Sequence, residues 1–77
     1  MELEILYEIV AGVMKVDTKE LKPETTFMND LGADSLDICR ILMEIEDRFG
    51  VTIPRESIYS VSDINDALNL IKNIKKL

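Results

Sequence analysis

Leu3, Leu6, Ile9, Val10 and Val13 recur at three- and four-residue spacing, with Glu2 and Glu4 in the first turn where the helix dipole favours acids. This pattern predicts a helix over residues 2–15. It breaks down from Val16 to Asp34, where Leu21, Phe27, Met28 and Leu31 follow no helical period and Pro23, Thr25, Thr26, Asn29 and Gly32 favour turns. The stretch reads as a long loop pinned by buried apolar side chains, and such loops are usually functional in compact domains. A second helix is predicted over Ser35–Phe49, with Asp34 as N-cap, Asp37 three residues on and Gly50 as the stop signal. Pro54 opens a short third helix, Arg55–Tyr59. Ser62 or Asp63 caps a fourth, whose stripe of Ile64, Ala67, Leu68, Ile71 and Ile74 faces the core, while Lys72, Lys75 and Lys76 offset its C-terminal dipole. No repeat or strand-period run competes. The expected fold is all-α: one domain over residues 1–77, a small four-helix bundle of three main helices and a short third, with a long loop between the first two.

The second helix carries more apolar residues than one buried face requires. At ~100° per residue, Ile38, Ile41, Leu42, Ile45 and Phe49 cluster on one side as the core face. Leu36, Cys39 and Met43 form another stripe, rotated from the first by roughly 100–160°. Either the short helix or the loop covers it, or it stays exposed for partners, ringed by acids. Asp30, Asp34, Asp37, Glu44, Glu46 and Asp47 lie between residues 30 and 47 against Arg40 alone. Part of that cluster has a structural use, since Asp34 and Asp37 also serve as cap and dipole acids.

Composition narrows the function classes. The chain has 77 residues, enough for one domain of modest stability, and its apolar content of 47% is too high for a disordered segment. A net charge of -6 disfavours nucleic acid and anionic membrane surfaces and favours basic partners. No apolar run approaches the ~18 residues of a membrane span, and Glu2 and Glu4 stand where a signal peptide would be positive, so a cytoplasmic monomer is expected. Cys39 is the single cysteine and there is no histidine, which removes an internal disulfide, the usual zinc sites and His-based triads. An enzyme is not expected.

The run Asp30-Leu31-Gly32-Ala33-Asp34-Ser35-Leu36-Asp37 resembles the phosphopantetheine attachment site of acyl carrier proteins, centred on Asp34-Ser35-Leu36. The resemblance extends over essentially the whole chain: a first amphipathic helix, a long loop ending in Leu-Gly-Ala, the serine at a helix start, then Phe49, and Ile53-Pro54 before the short helix. It implies that Ser35 is the hydroxyl esterified by 4'-phosphopantetheine, whose thiol carries acyl groups as thioesters between fatty-acid or related biosynthetic enzymes. A serine at a helix N-terminus is exposed, and the helix dipole there suits a phosphodiester. By the same resemblance Asp34 and Asp37 engage the phosphopantetheinyl transferase. Leu36 and Met43 are apolar contacts, and Glu46 and Asp47 pair with basic docking patches of acyl-transfer, condensing and reducing enzymes. The family also shelters acyl chains between its helices, which makes Ile53, Ile58, Val61 and Leu68 candidate lining. With no histidine to deprotonate it, Ser35 is not a hydrolase nucleophile.

Arg40 and Arg55 stand where the family pattern has acids, and Cys39 where an aliphatic residue is common. Arg40 lies inside the expected docking face, so it joins the partner-recognition residues, either tuning partner choice or pairing with Glu44 one turn on. The substitutions leave open a general fatty-acid carrier or one serving a specialised pathway. An aminoacyl or D-alanyl carrier would use the same serine and fold, and a helical adaptor without a prosthetic group would use the Leu36/Cys39/Met43 stripe.

Overall fold

A computed structural model describes residues Glu2–Lys75. Three α-helices, α1 (Glu2–Met14), α2 (Ser35–Phe49) and α3 (Ile64–Lys75), are joined by connections that each contain a 3₁₀ helix, Thr18–Glu20 and Arg55–Tyr59. Among the described residues there is no strand, only an isolated bridge between Thr26 and Asp63. No helix among them is long and apolar enough to cross a membrane.

The core forms where the apolar stripes meet. Leu6, Ile9 and Val10 of α1, Ile38, Ile41, Leu42 and Ile45 of α2, and Ile64, Ala67 and Ile71 of α3 are all buried. Phe49 and Leu68 are only partly buried at the edge. The first helix stops one residue short of expectation because Lys15 turns into the left-handed region at φ 58° while Val16 N–H donates back to the Ala11 carbonyl. Lys76, expected to offset the α3 dipole, lies outside the described residues.

The long loop is built as anticipated around buried Leu21 and Phe27, but Met28 is 57% exposed and so does not pin it. Its backbone is held by the start of α3. Ile64 and Asn65 N–H, two donors that a helix N-terminus leaves unpaired, donate to the Thr25 and Pro23 carbonyls at 3.1 and 2.8 Å. Phe27 N–H donates to the Ser62 carbonyl at 3.0 Å, which fixes the Phe27 ring in the core. Asp63 caps the helix, its Oδ1 accepting from Asp66 N–H at 2.8 Å. Within the loop Thr26 and Asp30 exchange side-chain-to-backbone bonds at 2.9 and 3.0 Å. Gly32, at φ 68°, then turns the chain into Ala33, whose N–H donates to the Phe27 carbonyl at 2.8 Å. An L side chain at this φ would be strained, so glycine sets the approach to Ser35.

Where a short α-helix was expected, Arg55–Tyr59 is a 3₁₀ helix, with Ser57 N–H on the Pro54 carbonyl and Ser60 N–H on the Ser57 carbonyl, both at 3.1 Å. Five residues opened by Pro54, which offers no side-chain cap, cannot propagate an i→i−4 ladder against the cost of nucleation. The described architecture is therefore three α-helices with a 3₁₀ segment packed on α2.

Candidate functional site

The second helix begins and ends at the expected residues because both ends are fixed locally. Asp34 is extended, and its Oδ1 accepts from Asp37 N–H at 2.9 Å. The Asp37 carboxylate returns the bond, accepting from Asp34 N–H at 3.3 Å, and the two acids form a capping box. At the other end Gly50 adopts the left-handed conformation, φ 65°, and its N–H donates to the Glu46 carbonyl at 2.9 Å.

Ser35 is the first residue of α2 and is exposed, and its hydroxyl has no hydrogen-bond partner among the described residues. The box occupies the Asp37 N–H, while no described group takes up those of Ser35 and Leu36, in contrast to the filled N-terminus of α3. An open hydroxyl beside unfilled helix donors fits a covalently attached phosphodiester, which needs a reachable oxygen and gains from N–H groups and the positive helix end. Ser35 also borders a groove of ≈ 370 Å³ formed with Thr26, Met28 and Asn29 of the loop and Ile58, Tyr59, Val61 and Ser62.

The remaining site residues separate into distinct environments. Leu36 and Met43 project into solvent, 68% and 53% exposed, and lie seven residues apart on one face of α2. Asp34, Arg40 and Asp47 are exposed, and Asp37 is partly buried by the box. Arg40 makes no ion pair with Glu44 among the described residues, so the pairing considered from their i+4 spacing does not form. Cys39 does not share the exposure of its stripe, because it lies half-buried in a crevice of ≈ 20 Å³ where Ile53, Pro54, Arg55 and Ile58 cover α2. Glu46 is also half-buried, and its Oε2 accepts from Ile53 N–H at 2.7 Å. Of the four residues named as acyl lining, Ile58 and Val61 reach the groove beside Ser35. Ile53 is core and borders the Cys39 crevice, and Leu68 lines a separate groove with Leu3 and Phe49. Sequence reading did not single out Asn29, Tyr59 and Ser62 as neighbours of Ser35, since the loop and the 3₁₀ segment bring them there with no local signature.

The family model described as "Phosphopantetheine attachment site" matches residues 4–71, so the chain is a phosphopantetheine-bearing domain. An "Acyl carrier protein" of Chloroherpeton thalassium is 41% identical over 71 residues, which cover 92% of this chain and 89% of the relative. An "Acyl carrier protein" of Clostridium acetobutylicum is 40% identical over 72 residues, which cover 94% of each. The chain belongs to the acyl carrier protein family, and its cofactor is 4'-phosphopantetheine.

Proposed function

We propose that Ser35 is the residue that bears phosphopantetheine and that residues 1–77 form one carrier domain, which delivers acyl groups to biosynthetic enzymes without catalysing their chemistry. The observation that carries this reading is an exposed hydroxyl on the first residue of α2, without a hydrogen-bond partner among the described residues, beside donors that the capping box leaves open. When bound, the group supplies a thiol that holds the acyl chain as a thioester.

In the loading step Ser35 Oγ attacks the phosphorus of coenzyme A next to pantetheine. The Oγ–P bond forms, the pyrophosphate P–O bond breaks with departure of adenosine 3',5'-bisphosphate, and the serine proton passes to a base of the transferase. This chain has no histidine to take it, so the base belongs to the partner. Asp34 and Asp37 hold the helix start rigid and offer their outer oxygens to the transferase. Leu36 and Met43 supply the apolar contact for acyl-processing enzymes, with Asp47 on the rim steering a basic patch toward them. The groove beside Ser35, with Ile58 and Val61 in its wall, is where the acyl-bearing arm has room to fold back. In this reading Arg55–Tyr59 acts as the short fourth member of the bundle, and the carrier works as a cytoplasmic monomer.

The relatives are named acyl carriers, which favours acyl over aminoacyl cargo. Incubation with coenzyme A, magnesium and a phosphopantetheinyl transferase adds one phosphopantetheine mass to the native chain and none to Ser35→Ala, whose melting curve stays native. A mass gain retained in Ser35→Ala overturns the assignment.

A further inference from the structure

On the face of α2 that carries Leu36 and Met43, one position between them is cationic. Leu36, Arg40 and Met43 stand at i, i+4 and i+7, so exposed Arg40 lies between two exposed apolar residues along the helix axis, on one flank of their stripe. Its neighbour across the helix pair is Lys15. Together with Gly12, Val13, Met43 and Glu44 these two cations line a groove of ≈ 350 Å³ between the end of α1 and the middle of α2. Neither cation makes an ion pair or hydrogen bond among the described residues, although Glu44 borders the same groove. A Cβ added to Gly12 would meet nothing within 4 Å, so this wall of the groove is open.

Lys15 adds a second observation. It holds φ 58°, a left-handed conformation that is strained for a residue with a side chain such as lysine, and glycine there would end α1 without that strain. The lysine brings a charge to the groove in exchange.

We propose that this groove receives a carboxylate side chain of an acyl-processing partner enzyme, as a cationic socket within an otherwise acidic docking face. Two cations without an ion pair among the described residues, in a chain of net charge -6, complement an acid set among bases, and the shared Met43 makes the groove continuous with the apolar contact at Leu36. A partner with an all-basic patch would face Arg40 and Lys15 with like charge, so the socket selects enzymes that interrupt their basic patch with an Asp or Glu. The inference rests on the carrier reading above and deepens it by naming the partner's surface chemistry.

The test uses holo-protein, with Ser35 loading first verified by intact mass, and a condensing enzyme with a basic docking patch as the probe. Each lysine and arginine of that patch is replaced singly by glutamate, and association is measured with the native carrier, with Lys15→Glu/Arg40→Glu, and with Lys15→Gln/Arg40→Gln in case the reversed pair folds poorly. The socket requires that one enzyme glutamate raise the association rate of the native carrier about tenfold at low salt. That gain must vanish with the Gln pair and reverse with the Glu pair. If every enzyme glutamate weakens the native carrier, or if the carrier variants change only its self-association, the socket is overturned. A native chain that takes no phosphopantetheine overturns the carrier reading itself, and the mass measurement shows this before any docking is attempted.

Discussion

Glu46 on α2 and Ile53, seven residues on, are joined by a hydrogen bond from the Ile53 N–H to Glu46 Oε2 at 2.7 Å, partly shielded from water. The bond ties the segment after α2 back against the helix, and with it the 3₁₀ segment that covers Cys39. An acid expected to serve docking thus also ties down the backbone that follows α2. Charge-assisted bonds of this kind contribute more than neutral ones.

Glu46→Ala should therefore lower stability by about 1.5–3 kcal/mol. For a domain of this size that is a fall in melting temperature of roughly 6–24 °C. Glu46→Gln, which keeps an acceptor but loses the charge, should fall between the two. Glu44→Gln and Asp47→Asn, at exposed positions where no backbone bond is made, should stay within about 0.5 kcal/mol of the native protein. A Glu46→Ala protein that melts with the native one would leave Glu46 to the docking surface alone.

The capping box gives Asp34 two separable roles. Asp34→Asn keeps an N-cap acceptor and should preserve the melting temperature, whereas Asp34→Ala should cost about 1 kcal/mol. If the Asp34 charge also engages the transferase, both variants should load more slowly, and the slowing should shrink as salt rises. Equal loading by native protein and Asp34→Asn would confine Asp34 to its cap.

Thiol reactivity tests how the second stripe of α2 is divided. Cys39 lies under the 3₁₀ segment while Leu36 stands in solvent. A Leu36→Cys variant made in a Cys39→Ser background should react with a thiol reagent at the rate of a free peptide thiol, and native Cys39 more slowly, limited by local opening of residues 55–59. Glu46→Ala should speed the Cys39 reaction selectively, because it removes the bond to Ile53. Equal rates for Cys39 and Leu36→Cys would mean that the segment does not cover α2 in solution.

What could be read from the sequence depended on how local its cause is. The limits of α2 were legible because Asp34, Asp37 and Gly50 act within a single turn of it. The candidate serine was legible through the run Asp30–Asp37 around it, since a serine after a cap marks by itself no more than a helix start. The form of residues 55–59 was not, since so short a segment takes its geometry from the surface it packs on. Cys39 and Leu36 sit on one stripe by periodicity, and only the fold of the later segment separates them. Glu46 carries no mark of its bond to Ile53, because bringing the two together requires Gly50 to reverse the chain. Likewise Arg40 stood out alone, and Lys15 joined it only when α1 was laid beside α2.

The measurement that bears most directly on the account is peptide-level mapping of the modification in protein produced beside a phosphopantetheinyl transferase. The chain offers Ser35, Ser57, Ser60 and Ser62, of which Ser35 alone opens an α-helix. Fragmentation should place the whole phosphopantetheine mass on Ser35, and an acyl group loaded afterwards should be released by hydroxylamine as a thioester. Modification on Ser57, Ser60 or Ser62, or an unmodified Ser35 in protein whose partner transferase loads another carrier in the same reaction, would contradict it.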